Sequence, residues 1–432
     1  MCAPCAKRLA NLGQSLAFRI DIEWIETTIG EVSAVFDGPH ATPAKVSEGP
    51  VFLGISCLSR GRLDLTAVEH LSEHDFKRWT RRVEPTAGDV VFSYETRLGE
   101  VALIPPGLRC CLGRRMALIR PDRAKVDSRF LLYYYLSPEF QELIRSRTVP
   151  GSTVDRILLE EFPKFPIRVP DLATQRWAAS LLSALDDKIE LNRRMNQTLE
   201  SMARAIFRSW FVDFDPVVAK AASRQPFGMS ADVAALFPDR FVDAGIGPIP
   251  CGWRFGRLDD LVVLQRGYDL PATGRTPGIY PVLSAGGPTG THCEFKVRGP
   301  GVTTGRSGQL GAVYFVHEDF WPLNTSLYVK EFRASSPLHA YFLLQTLDFD
   351  SFNAGSAVPT LNRNHVHNLP VVVPPEKLLA HFNGFAEPLF NLSRNNEAES
   401  CTLAALRNTL LPKLMSGELR VREAEALVGS HV

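Results

Sequence analysis

Arginines in loops are the residues of this sequence best suited to bind a ligand. The 48 Lys and Arg residues almost balance the 47 Asp and Glu residues overall, but basic residues outnumber acidic ones at 81–129 and 251–310. The guanidinium group is planar and forms bidentate hydrogen bonds with guanine edges and phosphates. Several of these arginines lie beside Gly, Ser, Thr or Gln, at residues 94–97, 113–115 and 303–309. Any one of them could be a solvated surface charge, but matching groups in both halves of the chain favour contact with DNA.

Patterns typical of catalytic sites are nearly missing from the sequence. No Gly-rich loop ends in Gly-Lys-Ser/Thr, and the Val-Pro-Pro-Glu run at 373–376 is not the Asn/Asp-Pro-Pro-aromatic motif of amino-methyltransferases. Asp186 and Lys188 are predicted to lie on a helix, whereas a metal-dependent nuclease would hold them on adjacent strands. His365 and His367 have no partner at metal-ligand spacing. We therefore expect a binding protein that is not an enzyme and has no metal site.

Length and composition are typical of a folded protein of two or three domains. The chain has 432 residues, of which 45% are hydrophobic and 22% charged. No stretch approaches about 20 consecutive apolar residues, so we expect no membrane span. Residues 1–18 lack the apolar core of a secretory signal, and the eight cysteines show no disulfide spacing. These features predict a cytoplasmic location.

The chain contains a long internal repeat. Trp24 and Trp253 open similar segments, and four further landmarks recur in the same order. The landmarks are LGEVALIP (98–105) with LGAVYFV (310–316), Val-Pro (149–150) with Val-Pro (358–359), FPIRVP (165–170) with LPVVVP (369–374), and TLESMAR (198–204) with TLAALRN (402–408). Short β-branched and aromatic runs bounded by Gly, Pro and Asp predict mixed α/β domains. Each copy is therefore predicted to be a mixed α/β domain followed by a long helix.

The repeat predicts the order of segments along the chain. We expect an N-terminal extension at 1–20, a first recognition domain at 21–171, a long helix at 172–212, a Pro-, Gly- and Ala-rich connector at 213–250, a second recognition domain at 251–375, a second long helix at 376–416 and a tail at 417–432. Within the domains, single helices are predicted at 130–145 and 337–347.

Both long helices carry a heptad pattern, in which apolar residues recur at alternating spacings of three and four. The predicted seam comprises Leu181, Leu185, Asn192, Met195, Leu199, Met202 and Ile206 in the first helix and Leu389, Leu392, Asn396, Leu403, Leu406 and Leu410 in the second. An asparagine in such a seam costs stability but fixes the register. We predict that the helices pair as an antiparallel coiled coil, with the two domains at its opposite ends and a pseudo-two-fold relation between the halves. Pro388 predicts a kink or a restart in the second helix.

Several ordered motifs resemble the specificity subunit of type I restriction–modification systems. They are GDVVFSYETRLGEVALIP (88–105), GSTVDRI (151–157), FPIRVP with the helical segment at 185–217, FPDRFVDAGIGPIPCGW (237–253) and TLAALRNTLLPKLMSGELRV (402–421). The similarity covers essentially residues 21–421, whereas residues 1–20 have no counterpart. In that family two target-recognition domains each read half of a split DNA sequence, and two long antiparallel helices set the gap between the halves.

The resemblance also implies partners and candidate residues. It implies binding to double-stranded DNA, docking of two modification (methyltransferase) subunits, and restriction (helicase-nuclease) subunits that assemble on those. S-adenosylmethionine, ATP and Mg²⁺ would belong to the partner subunits, so this chain is expected to bind no cofactor. Carried over by position, the candidate DNA-binding residues are Tyr94, Arg97, Arg114 and Arg115 in the first domain and Gly286, Thr289, Arg306, Ser307, Gln309, Asn362 and Arg363 in the second.

Other functions stay open at this point. One is a coiled-coil protein that binds DNA or acts as a scaffold, and another is a degenerate specificity subunit that no longer pairs with modification or restriction subunits. A stand-alone methyltransferase or nuclease would need a catalytic domain for which the sequence gives no motif.

Overall fold

A computed structural model describes residues 23–40, 42–151, 154–245, 247–349 and 360–419. The predicted extension at 1–20 and most of the predicted tail at 417–432 lie outside these residues. The described chain divides into two compact units, here called the first unit (23–191 with 398–419) and the second unit (192–397).

The first unit is built around a four-stranded antiparallel sheet. Its strands are β1 (Ile25–Thr28), β2 (Ser33–Asp37), β3 (Val46–Leu53), β4 (Leu58–Ser59), β5 (Arg62–Leu63), β6 (Glu69–His70), β7 (Val90–Ser93), β8 (Val101–Leu103), β9 (Cys110–Leu112), β10 (Met116–Pro121), β11 (Thr148–Val149), β12 (Arg156–Ile157) and β13 (Pro166–Val169). Its short helices are α1 (Ile29–Val32), α2 (Glu73–Trp79), α3 (Ser128–Leu136) and α4 (Pro138–Ser146). The central sheet has the order β2-β10-β7-β8, while β1 pairs with β13, and β3 runs parallel to β9.

Two helices replace the single helix that was predicted at 130–145. The Asp127 carboxylate caps α3 by accepting the backbone N–H groups of Arg129 and Phe130. Ser137 then caps α4, and Pro138 occupies the first turn of α4. Because proline has no N–H and disfavours helical backbone at the preceding residue, the chain ends one helix and begins another there.

The second unit repeats this arrangement. Its strands are β14 (Phe241–Asp243), β15 (Pro248–Pro250), β16 (Arg254–Arg257), β17 (Val262–Arg266), β18 (Tyr280–Ser284), β19 (Gly287–His292), β20 (Gly301–Gly305), β21 (Val313–Val316), β22 (Trp321–Pro322), β23 (Ser326–Phe332) and β24 (Pro370–Val373). Its short helices are α6 (Asp215–Ala221), α7 (Ala231–Ala235), α8 (Leu258–Leu261), α9 (Pro337–Gln345) and α10 (Arg363–His367). The sheet order β17-β23-β20-β21 matches β2-β10-β7-β8, and the β16–β24 pair matches β1–β13. The prediction of a mixed α/β fold with an internal repeat is therefore confirmed.

The predicted connector at 213–250 is itself folded. It contains α6, α7 and the β14–β15 hairpin. Phe237 is buried and meets the ring of Trp210 edge to face, at a centroid distance of 5.4 Å. Aromatic burial of this kind stabilises the segment against the second unit, which a compositional reading based on Pro, Gly and Ala did not predict.

The long helices are α5 (Leu172–Phe211) and α11 (Glu376–Ser416), and they pair with each other in both units. In the first unit Lys188 lies 3.3 Å from Glu399, and in the second unit the Asn196 side chain donates to the Ser393 carbonyl over 3.1 Å. Residue numbers rise along one helix as they fall along the other, so the pairing is antiparallel, as predicted. The second helix does not restart at Pro388, because α11 is continuous through it.

The seam of this pair differs from the predicted one at part of its positions. Of the predicted residues, Leu185, Asn192, Leu199, Asn396, Leu403, Leu406 and Leu410 are buried, Leu181, Ile206 and Leu389 are half-buried, and Met195, Met202 and Leu392 are exposed. In α5 the positions after the methionines, Asn196 and Ala203, are more buried. A heptad pattern whose spacings run three then four coincides at every seventh residue with one whose spacings run four then three. The two patterns differ only at the position between those residues. The sequence favoured the methionines because they are large and apolar. The more buried positions carry a polar side chain at Asn196 and a small one at Ala203.

None of the described helices is both long and apolar enough to cross a membrane.

Candidate nucleic-acid interface

The candidate residues of each unit gather at one end of its central sheet, here called the sheet end. In the first unit β2 ends at Asp37 and Tyr94 follows β7. In the second unit β17 ends at Arg266 and Arg306 follows β20. The registers agree, since Asp37 pairs with Ala117 on β10 as Arg266 pairs with Leu327 on β23. The two sheet ends are therefore equivalent positions of the repeat.

A later segment of the chain crosses each sheet end in the same way. The Tyr94 carbonyl accepts the Ile157 N–H over 2.9 Å, and the Arg306 carbonyl accepts the Leu361 N–H over 2.8 Å. Isolated bridges join Glu95 to Arg156 and Ser307 to Thr360 in the same places. The segments at 156–157 and 360–361 therefore occupy equivalent positions at the two sheet ends.

Two of the four first-domain candidates, Arg114 and Arg115, directly precede β10. Arg114 is exposed. Arg115 has a left-handed backbone (φ 71°), and its Nε lies 3.0 Å from a Glu95 carboxylate oxygen. The Arg115 Nη1 also donates to the Thr96 hydroxyl over 3.1 Å. The contacts with Glu95 and Thr96 therefore hold the Arg115 side chain in place, and the exposed Arg114 lies beside it in the sequence.

Tyr94 and Arg97 have structural surroundings that were not predicted. Tyr94 is only 6% exposed and belongs to the hydrophobic core, so its side chain is not on the surface. Its burial and the neighbouring Asp37 carboxylate raise the pKa of the Tyr94 hydroxyl. Arg97 donates to the Ile55 carbonyl and pairs with Glu100, each over 3.1 Å. The Tyr94 side chain thus packs in the core, and its assignment as a DNA contact stays a prediction.

The first sheet end also opens into a cavity of about 240 Å³ whose residues were not selected from the sequence. Its lining includes His40, Arg78, Trp79, Arg81 and Arg82. The Asp37 carboxylate lies 2.7 Å from His40 Nε2 and 3.7 Å from Arg82 Nη1. The Lys-Arg and Arg-Arg pairs at 77–78 and 81–82 were the available signal. They were overlooked as site residues because α2 and the turn after it are far in sequence from the Tyr94 loop.

Most second-domain candidates lie together. Arg306, Asn362 and Arg363 line a cavity of about 470 Å³ with Arg266, Leu327, Thr360 and Leu361. Gly305 requires glycine, because a Cβ atom there would lie 1.8 Å from the Gln309 carbonyl oxygen. A Cβ at Gly286 would lie 3.0 Å from Gln309 Oε1, so these two candidates are neighbours. The backbone N–H groups of Arg306 and Ser307 both donate to the Thr325 carbonyl, over 2.8 and 3.0 Å.

Thr289 lies apart, on the exposed hairpin of β18 and β19. Its carbonyl and hydroxyl oxygens accept from Arg275 Nη1 over 3.3 and 3.4 Å. Arg266 and Arg275 are two of the arginines in the basic stretch at 251–310 that were not selected as candidates from the sequence. Among the described residues, no group of three or more His, Cys, Asp and Glu side chains could hold a metal ion.

Comparisons with known proteins agree with this geometry. Residues 78–201 match the family described as "Type I restriction modification DNA specificity domain". The chain is 25% identical over 376 residues to the type I restriction enzyme HindI specificity subunit of Haemophilus influenzae, which covers 71% of this chain and 80% of that protein. It is 24% identical over 393 residues to the type I restriction enzyme MjaIX specificity subunit of Methanocaldococcus jannaschii, which covers 85% of this chain and 84% of that protein.

A solved structure shows the same fold. The type I restriction–modification S subunit from M. genitalium superposes with a TM-score of 0.58 at 16% identity, over 92% of this chain and 98% of that one. The similar proteins are specificity subunits, which are the non-catalytic class of subunit, so the prediction that this chain is not an enzyme is confirmed. The chain thus contains a match to the specificity domain at residues 78–201 and is similar over most of its length to type I restriction–modification specificity subunits.

Proposed function

We propose that this chain recognises a bipartite DNA sequence, one half with each domain. The observation that carries the proposal is the pair of equivalent sheet ends with different side chains. The first presents Asp37 beside His40 and Arg82, whereas the second presents Arg266 and Arg306. Carboxylates accept from base amino groups, and arginines donate to guanine or phosphate. Two sites of the same architecture and different chemistry suit two half-sites of different sequence.

The long helices are proposed to set the distance between the half-sites. An α-helix rises 1.5 Å per residue, so α5 with its 40 residues is about 60 Å long. Half-sites read from one face of DNA lie roughly 34–36 Å apart per helical turn. The antiparallel pairing and the asparagines buried in its seam support a fixed length.

The partners are proposed to be two modification subunits, with restriction subunits assembling on those. Exposed apolar residues on α5 and α11 support a docking role for the helices, among them Leu191, Met202 and Leu392 at 53%, 46% and 43% exposure. S-adenosylmethionine, ATP and Mg²⁺ would be bound by these partner subunits, and the assembled complex would act in the cytoplasm.

The test is to shorten both helices by one heptad, removing residues 193–199 and 389–395, and to measure binding of the assembled complex to duplexes of varied spacer length. Because both deletions remove paired turns, the remaining pairing is kept. We expect the shortened complex to lose binding to duplexes of the original spacer length and to keep its preference for both half-sites. Undiminished binding at the original spacing would contradict the role of the helices. If the complex with full-length helices binds DNA without sequence selectivity, the proposed function is contradicted.

A further inference from the structure

We propose that the cavity at the second sheet end binds a backbone phosphate of the DNA, through Arg266, Arg306 and Arg363. This inference rests on the proposed function, because the phosphate is taken to belong to the bound duplex. It assigns to these arginines an anchoring role, where the sequence suggested base recognition for Arg306 and Arg363.

The first argument is charge. Three arginines line one cavity of about 470 Å³. The carboxylate of Asp269 lies 3.6 Å from Arg266, but both side chains are more than half exposed, so this pair neutralises little. Like charges brought together at one cavity repel each other, and a bound anion relieves that repulsion. The cavity is therefore selective for a negatively charged group.

The second argument is that Arg306 is held in position before any ligand binds. Its Nη1 donates to the Asn324 carbonyl over 3.1 Å, and its backbone is fixed on both sides by Thr325 and Leu361. A guanidinium carries five N–H donors, so the others remain for a ligand. A preorganised arginine loses less conformational entropy on binding than a free one.

The third argument is that the site offers donors. The Asn362 Oδ1 accepts from the Asn364 N–H over 3.0 Å, which leaves the amide N–H groups of Asn362 for a ligand. A phosphate has only acceptor oxygens and a full negative charge. A guanine edge offers two acceptor atoms and no net charge, so three arginines supply more donors and more charge than it can use.

The two strand-end arginines of the second unit, Arg266 and Arg306, have no arginine counterpart at the equivalent positions of the first unit. There Arg266 is replaced by Asp37, and Arg306 by the buried Tyr94. A carboxylate at that point would repel a phosphate. The proposed anchor therefore uses strand-end arginines that the first unit lacks at these positions, and most of its effect would appear as salt-dependent affinity.

The experiment measures DNA affinity of the assembled complex between 50 and 200 mM salt for Arg266→Ala, Arg306→Ala and Arg363→Ala. Arg333→Ala is the matched control, because Arg333 follows β23 at the opposite end of the same sheet. Each lost phosphate contact reduces the magnitude of the slope of log affinity against log salt by about 0.9. The affinity of such a variant therefore falls about three- to fourfold less across this range than that of the complex without a substitution. We expect this for all three variants and not for the control, with an unchanged methylation motif. If Arg306→Ala fails to fold, the exposed Arg266 and Arg363 carry the test.

Other results would overturn the inference. An unchanged salt slope with relaxed specificity at one base pair would make these arginines base contacts. An unchanged slope and motif would remove them from the interface. If the unmodified complex binds DNA without sequence selectivity and the three variants still lower the slope, the phosphate site stands and the bipartite function fails.

Discussion

Replacing Leu403 by Ala tests which face of the long helices forms the seam. Leu403 is 3% exposed, whereas Leu392 on the same helix is 43% exposed, although the sequence placed both in the seam. The substitution removes three carbons, worth about 0.8 kcal/mol each when buried. For Leu403 this gives about 2.4 kcal/mol, and the cavity left behind raises the loss of unfolding free energy to about 3 kcal/mol.

Leu392→Ala is the matched control, since it is the same substitution in the same helix. Little more than half of its side chain is buried and solvent fills the space, so we expect a loss of about 1 kcal/mol. The assay is urea unfolding of the full chain followed by circular dichroism, because both substitutions lie in helix. Equal losses for the two variants would show that the seam does not lie where the structure places it.

Three further predictions follow from buried polar groups. Burial lowers the pKa of His339 to about 3, so below about pH 6.5 the unfolded chain binds a proton that the fold excludes; the unfolding free energy should fall by about 2 kcal/mol between pH 6.5 and 5. His339→Phe should remove that part of the pH dependence in urea titrations, and an unaltered dependence would contradict it. Asp186 accepts from Tyr133 over 2.8 Å and pairs with Arg407. Asp186→Ala should therefore cost about 3–5 kcal/mol in thermal unfolding, against under about 0.5 kcal/mol for the exposed Asp187→Ala; similar values would refute this. An asparagine in a seam costs stability by itself, but Asn396→Leu also leaves Asn196 Oδ1 without its 2.8 Å hydrogen bond, so the unfolding free energy should fall by about 1–3 kcal/mol. A more stable variant would show that this hydrogen bond does not offset the cost of a polar seam residue.

The architecture could be predicted from the sequence because the repeat is long and its landmarks are ordered. The long helices were predicted to within one residue at each end, since their periodicity extends over 40 residues. The break at Pro138 was missed, because the apolar pattern continues across it. The seam was predicted correctly at Leu403, Leu406 and Leu410 but not at Met195 and Met202, which are apolar but exposed.

The candidate site was predictable where the repeat pointed to it. Arg306, Asn362 and Arg363 lie near each other, although more than 50 residues of sequence separate the first from the others. Tyr94 could not be assigned a face, because residues after a strand need not continue its alternation. Arg266 and Arg78 were missed because their proximity to the other residues depends on strand order and on the position of α2, which the sequence does not state.

The bipartite role is tested most directly by mapping methylated bases in a host that expresses this chain with its modification and restriction subunits. The account predicts two short half-sites of different sequence separated by a fixed number of unspecified base pairs. It also predicts that Arg114→Ala changes only one half-site. A continuous motif, or one whose gap varies from site to site, would contradict it.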